Sequence, residues 1–257
     1  MRGRPLPGGP FRLERHAEVG STNALAREYA SRNEPEGLVV LAARQTAGRG
    51  RHGRGWVSPE GNLHASLLLR PGGPLGAAAT LSLVTALSVV EALDPIVGDP
   101  ARLAVKWPND LLLDGAKLGG ILLEGEDDGR GGCAWLVIGL GLNLASAPAP
   151  SETPYAAASL RSAADADIAP EAFLDRWLPG LAARLDAWAA DGFAALRQDW
   201  LARAAGVGRE VSLRLGREGG ASVVRGRFAD LGDDGAILLE TAPGRLVRHS
   251  AGELFFG

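Results

Sequence analysis

The chain has a single cysteine, Cys133, in 257 residues, so no intramolecular disulfide can form. The stretch around it, CAWLVIGL, reads as a buried strand in which Cys133 is a small core residue. Such sparing use of cysteine fits a reducing, cytoplasmic setting. Aromatic residues are also scarce, at 5%, against 46% hydrophobic and 22% charged residues; this is the balance of a globular chain rather than a disordered one. Charge of one sign is lacking as well. A formal net charge of -3 and a pI near 5.9 supply no global attraction to nucleic-acid phosphates, so any basic patch must be local. No apolar segment of signal-peptide type precedes Glu14 in MRGRPLPGGPFRLER. The one long uncharged run, residues 72–90, is interrupted by Thr80, Ser82, Thr85 and Ser88 and reads as a buried helix rather than a membrane span. His16, His52, His64 and His249 show no ligand spacing, and no metal site of the chain's own is expected. Glu124, Glu126, Asp127 and Asp128 read as solvated charges near a glycine-rich tip. There is no G-x-S-x-G elbow, and nothing else points to a serine or cysteine nucleophile.

Beyond a Pro/Gly-rich start, GSTNALAREYASR begins with a polar cap, Ser21 or Thr22, and continues as a helix. Strands are expected in GLVVLAARQ, NLHASLLLR and RLAVKW, with one long helix over 75–93. Asp114-Gly115 predicts a hairpin turn, and EDDGRGG the tip of a second hairpin leading into CAWLVIGLGLNL. Neighbouring strands without strict strand-helix alternation make an α+β fold with a mixed, largely antiparallel sheet. Residues 145–170 read as a loop with a short helix. From Pro170 to Ala205 the pattern is helical, broken or kinked near Pro179 and Gly192, with Phe173, Leu174, Trp177, Leu181, Leu185 and Trp188 facing the core. After Gly206, VSLRL, VVRGRFADL, AILLE and RLVRHS predict a small sheet or barrel, giving domains of 1–205 and 206–257.

AGRGRHGRGW, residues 47–56, contains a literal G-x-G-x-x-G in Gly48, Gly50 and Gly53. A dinucleotide fingerprint would open a helix after the third glycine, whereas Gly55, Pro59 and Gly61 follow here; a Walker loop would need G-K-S or G-K-T. An arginine-glycine tail of the nucleic-acid-binding kind would be long and unfolded, while this stretch is short and lies between two strands. Glycines admit backbone N–H groups close to an anion, and Arg49, Arg51 and Arg54 supply forked donors, so the stretch reads as a loop that closes over phosphate or carboxylate. In KWPNDLLLDGAKLGGILLEG, Lys117 stands as a point charge and Gly119-Gly120 leaves room for a ligand. On its own sequence context, Asn143 suits either a ligand contact or a turn cap.

Taken in order, GSTN at 20–23, ARQTAGRGRHGRGW at 43–56, GNLHASLLLRP at 61–71, KWPNDLLLDGAKLGGILLE at 106–124 and VIGLGLNL at 137–144 resemble the bacterial biotin protein ligases. The tail GRFADLGDDGAILLETAPGRLVRHSAGEL is similar to that family's C-terminal SH3-like domain. The resemblance implies a catalytic domain related to class II aminoacyl-tRNA synthetases and lipoate ligases, with ATP, Mg2+ and biotin as its small molecules. It implies two reactions: biotin is activated to biotinyl-5′-AMP, then passed to a lysine of a biotin carboxyl carrier protein. It assigns Ser21, Thr22, Asn23, Gln45, Arg49, Gly50, Arg51 and Lys117 to biotin, and Arg51, Trp56, Lys117 and Asn143 to ATP. Lys117, Arg51 and Asp110 are its catalytic candidates, Asp110 assisting the acceptor lysine or the metal.

Repressor members of that family carry an N-terminal winged helix-turn-helix, too long for the twenty residues before Ser21, so a monofunctional enzyme with no DNA or membrane partner is expected. An exposed sheet edge or face is a route to a homodimer. Two alternatives stand beside this reading. A lipoate or octanoate ligase would use the same scaffold, but its R-x-S-G-G-G loop pattern is absent; a nucleic-acid-binding regulator rests only on the arginine-rich loop.

Overall fold

The computed structural model describes residues 4–5, 11–216 and 222–256; most of the Pro/Gly-rich start lies outside them. In chain order the elements are β1 (Arg4–Pro5), β2 (Arg12–Val19), α1 (Thr22–Ser31), β3 (Leu38–Gln45), β4 (Leu63–Leu69), α2 (Leu75–Ala78), α3 (Leu81–Val97), β5 (Leu103–Lys106), β6 (Asp110–Leu113), β7 (Ala116–Asp127) and β8 (Cys133–Leu142). Then follow α4 (Leu160–Ala164), α5 (Pro170–Asp191), α6 (Arg197–Ala202), β9 (Glu210–Leu215), β10 (Ser222–Leu231), β11 (Ile237–Ala242), β12 (Arg245–His249) and β13 (Glu253–Phe256).

Eight strands form one sheet in the order β1-β2-β3-β4-β8-β7-β6-β5, and five form a second in the order β12-β11-β10-β9-β13. Only β2 and β3 pair in parallel among these neighbours, with α1 as their crossover. The fold is α+β with a mixed, largely antiparallel sheet, as expected.

The pleat explains why β3 is apolar without interruption. Val39 and Leu41 point to the face covered by α3 and α5, whereas Leu38 and Val40 point to the face covered by Ala26 and Ala30 of α1. Asp114 (φ 52°) and Gly115 (φ 78°) make the tight β6–β7 turn, both in the left-handed region that a two-residue hairpin of this kind needs.

Three elements depart from expectation. The helix over 75–93 is α2 plus α3, joined by Ala79 and Thr80, and it continues to Val97 before Gly98 caps it in a left-handed conformation. Leu75–Val97 is long and apolar enough to cross a membrane, yet eleven residues of α3 are buried in the core. Two of the hydroxyls that interrupt the run are bonded by tryptophans of α5: Trp177 Nε1 donates to Ser88 Oγ (2.8 Å) and Trp188 Nε1 to Thr80 Oγ1 (2.8 Å).

Secondly, Pro179 does not break α5, which runs to Asp191 and stops only at Gly192. A proline removes one backbone bond, but here Trp177, Leu178 and Leu181 are buried on both sides of it and packing decides. Leu185 and Trp188 pack on the core only partly buried. Thirdly, the closing residues form a strand that sequence reading did not expect: β13 pairs with β9, bringing Glu253 opposite Arg214.

The two sheets share an apolar core. Trp107 Nε1 donates to Gly235 O (3.0 Å), Arg197 reaches Asp230 (3.1 Å), and Ala205 N donates to Val105 O (2.8 Å). The smaller sheet therefore sits against the end of β5 and the turn that follows it, beside the cavity described next.

Candidate active site

A cavity of about 520 Å3 opens between the N-terminus of α1, the 47–56 loop, β5–β8 and the last strand. Its two ends differ in chemistry. At one end, Ser21 Oγ accepts from Ala24 N and caps α1. Thr22 donates from both its backbone N–H (2.8 Å) and its hydroxyl (3.1 Å) to Gln45 Oε1, and Gln45 Nε2 donates to Ser58 Oγ (3.0 Å).

Ser66 Oγ lies 2.8 Å from Thr22 Oγ1 and 2.6 Å from Asn23 Oδ1. Asn23 Nδ2 donates to Glu124 Oε2 (2.9 Å). Ser21, Thr22, Asn23 and Ser66 are all buried. Parallel pairing of Val19 with Gln45 brings the start of α1 beside the end of β3. Gly139 passes beneath the Asn23 amide, where a Cβ would overlap the side-chain oxygen. The result is a rigid set of neutral donors and acceptors whose orientations are mutually fixed.

The 47–56 loop is a small hairpin. Trp56 N donates to Gly48 O (2.9 Å), Gly50 N to Arg54 O (2.8 Å), and His52 (φ 58°) and Gly53 (φ 77°) turn the chain. Gly48 is obligatory by contact, since a Cβ would lie 2.5 Å from Trp56 O. The arginines diverge to different anchors. Arg49 stands 3.6 Å from Glu124, which also pairs with Arg27 (3.0 Å).

Arg51 Nη1 donates to Asn109 Oδ1 (3.2 Å) and reaches Gly252 O (3.4 Å). Arg54 makes a two-pronged pair with Glu253 (2.6 and 2.8 Å), so the loop is tied to the smaller sheet. Trp56 lies against Gly141, where a Cβ would be 2.5 Å from its indole, and its buried Nε1 has no partner.

The other end of the cavity is cationic. Lys117 Nζ pairs with Asp110 Oδ1 (2.6 Å) and stands 4.8 Å from the Tyr155 ring and 5.9 Å from the Trp56 ring. Gly120 borders this pair and keeps the cavity open. Gly119 serves another purpose: a side chain there would strike Leu142 and Gly141 O, so it is small for sheet packing and not for a ligand. Lys106 Nζ is 5.5 Å from both the Phe255 and the Phe256 ring. Burial pushes the Arg51 and Lys106 pKa values down, opposed in both cases by the charge of Asp110. The Arg54 hydrogen bond pulls the Glu253 carboxyl below its ordinary value.

The residues expected from sequence thus converge on this cavity, with one exception. Asn143 is buried, donates to Ala158 O (3.1 Å), and borders a small adjoining cleft with Trp56, Lys117 and Tyr155. It braces the segment whose Ala156 O accepts from Lys117 N (2.8 Å).

Glu124 departs from expectation in the other direction. It is not a solvated loop charge: β7 carries it inward to Asn23, Arg27 and Arg49. Ser58, Ser66, Lys106, Asn109 and Glu253 also belong to the site, although none carries a signal of its own in the sequence. Lys106 and Asn109 stood within KWPND and Glu253 within AGE, but strand register and domain docking put them in the cavity. Among the described residues no three or more His, Cys, Asp or Glu come together as a metal site.

A sequence profile of the Biotin/lipoate A/B protein ligase family matches residues 17–143. A biotin--[acetyl-CoA-carboxylase] ligase of Paracoccus denitrificans is 43% identical over 94% of this chain and 99% of its own length. The corresponding ligase of Mycobacterium tuberculosis is 37% identical over 93% of this chain and 86% of its own. Among solved structures, the biotin protein ligase from Aquifex aeolicus in complex with biotin and ATP superposes with a TM-score of 0.79 at 29% identity, covering 95% of this chain and 97% of that one. With both sheets, the 47–56 loop and the cavity in place, this similarity over nearly the whole length shows that the chain belongs to the biotin protein ligases.

Proposed function

We propose that this chain activates biotin with Mg-ATP to biotinyl-5′-AMP and pyrophosphate, then transfers biotin to a lysine of a biotin carboxyl carrier protein in the cytosol. The observation that carries this reading is the union, in one cavity, of a neutral hydrogen-bonding end with a cationic end around Lys117. The ureido ring of biotin offers neutral donors and acceptors, which suits Ser21, Thr22, Asn23 and Gln45. Its carboxylate must approach a triphosphate, anion against anion, and this needs fixed positive charge.

Arg49, Gly50 and Arg51 wrap the junction of biotin and nucleotide. Lys117, oriented by Asp110, sits at the carboxylate and α-phosphate. The unpartnered Trp56 Nε1 is a donor available to the nucleotide. Asn143 acts on that side by bracing the Lys117 strand. Mg2+ comes as part of the Mg-ATP substrate, whose phosphates supply most of its ligands.

In the second step the neutral acceptor amine attacks the biotinyl carbonyl; an amide C–N bond forms as the acyl C–O bond of the mixed anhydride breaks, AMP leaves with the electron pair, and the proton lost by the amine passes to solvent. We assign Asp110, which pairs with Lys117, to assisting that amine or the metal of Mg-ATP. We assign catalysis to residues 1–205 and closure of the cationic end to an SH3-like domain of residues 206–257. Beyond Gly120, no described strand pairs with the outer edge of β7, which is the edge a homodimer would use; light scattering tests it.

The deciding experiment mixes the protein with ATP and either biotin or lipoate. Pyrophosphate release with biotin, followed by labelling of a carrier lysine, is the expected result. Release with lipoate and none with biotin would overturn the reading.

A further inference from the structure

Six cationic side chains border the cavity against two carboxylates, Asp110 and Glu253, in a protein whose formal charge is -3. Both carboxylates are engaged, Asp110 by Lys117 (2.6 Å) and Glu253 by Arg54 (2.6 Å). Lys106 differs from Lys117, Arg49 and Arg54, each of which pairs with a carboxylate. Among the described residues its ammonium has no carboxylate within 4.0 Å. What it faces are two aromatic rings of the smaller sheet, Phe255 and Phe256, each 5.5 Å away.

Ring faces attract a cation, but they accept none of the hydrogen bonds that three N–H groups offer. Burial already disfavours this charge. Arg214 lies 4.5 Å from the Phe255 ring, so a second cation stands on the same aromatic support. A partly desolvated ammonium held in this way is built for an anion that arrives from solution.

We propose that Lys106, backed by Phe255 and Phe256, binds the β- and γ-phosphates of ATP and stabilises the pyrophosphate leaving group, making this subsite a joint product of the two sheets. The inference rests on the adenylation reading above. In that step a carboxylate oxygen of biotin forms a bond to the α-phosphorus. The bond from that phosphorus to the oxygen bridging to the β-phosphate breaks, and pyrophosphate departs with the electron pair. Negative charge therefore grows on the leaving group, where a fixed ammonium is worth more than in the ground state. In the transfer step AMP is the leaving group and pyrophosphate is already gone, so Lys106 has no part in it.

The test compares Lys106→Met, Lys106→Arg and Phe256→Ala in the full chain, by biotin-dependent exchange of labelled pyrophosphate into ATP and by transfer from supplied biotinyl-5′-AMP to a carrier lysine. Lys106→Met is expected to slow exchange on the order of 100-fold and to raise the pyrophosphate concentration needed, while transfer stays within about threefold of the unaltered enzyme. Lys106→Arg should recover most of the exchange. Phe256→Ala, at an exposed ring (44%), should weaken pyrophosphate use by about threefold to tenfold. Equal losses in both reactions would reveal a structural role and overturn the proposal. So would a loss confined to transfer, which would place Lys106 at the carrier protein, or exchange unchanged in Lys106→Met. If the unaltered chain shows no biotin-dependent exchange, the adenylation reading itself fails and this inference with it.

Discussion

The two ends of the cavity are built on opposite principles. The Ser21–Gln45 end presents neutral, mostly buried groups to the cavity, with its one carboxylate contact, Glu124, paired to Arg27 and Arg49; its hydrogen bonds are largely closed among Thr22, Gln45, Ser58, Ser66 and Asn23. The Lys117–Lys106 end is cationic and more open, with partners drawn from both sheets. A closed neutral network selects by shape and by the cost of leaving a buried group unpaired. An array of partly compensated charges selects little, but it lowers the barrier for bringing two anions together. Recognition and chemistry are thereby separated along one cavity, and substitutions at the two ends should fail in different ways.

The largest effect is expected from Lys117→Ala. Single-turnover pyrophosphate release should fall by about 10²–10³-fold, with biotin affinity measured without ATP changed far less; a near-normal rate would make Lys117 peripheral. At the neutral end, Gln45→Leu removes the shared acceptor of the Thr22 N–H and hydroxyl. Titration calorimetry with biotin alone should show a loss of about 1–3 kcal/mol, roughly tenfold to a hundredfold in Kd, while turnover at saturating biotin suffers less. If turnover falls as far as affinity, the division between the ends does not hold.

Gly139→Ala drives a methyl group into the Asn23 amide and should cost about 1–3 kcal/mol of stability, read as a lower Tm together with weaker biotin binding. The smallest effect belongs to Glu253→Gln. Its partner Arg54 is partly exposed (44%), so the pair contributes at most about 1 kcal/mol, and ATP KM should rise only severalfold. Added salt should narrow the difference between variant and parent. Because the folded Glu253 pKa is depressed, the contribution of the pair is fully present above the ordinary glutamate pKa of about 4.3. It is lost as pH falls through the lower folded value, so the variant should differ from its parent at neutral pH and converge with it in acid.

Much of the scaffold was legible because its signals are local. The cap at Ser21, the Asp114-Gly115 hairpin and the alternating strands after Gly206 follow from backbone preferences of a few adjacent residues. Pro179 misled for the same reason, since a proline read alone predicts a break, whereas tertiary packing of Trp177, Leu178 and Leu181 holds the helix through it. Glu124 misled because its neighbours in sequence are tip residues, while its partners, Asn23 and Arg27, are about a hundred positions away.

The sequence by itself determined most of the elements and the motif chemistry: glycines with arginines between them in the 47–56 stretch, and a lysine ahead of Gly119-Gly120. Their grouping into a neutral and a cationic end was decided only in the tertiary structure. Strand register places Lys117 on Asp110, and docking of the smaller sheet carries Glu253 to Arg54 and Phe255 and Phe256 to Lys106. These partnerships depend on Coulomb and ring contacts a few ångströms long between residues up to 199 positions apart, and such proximity has no local trace in the chain.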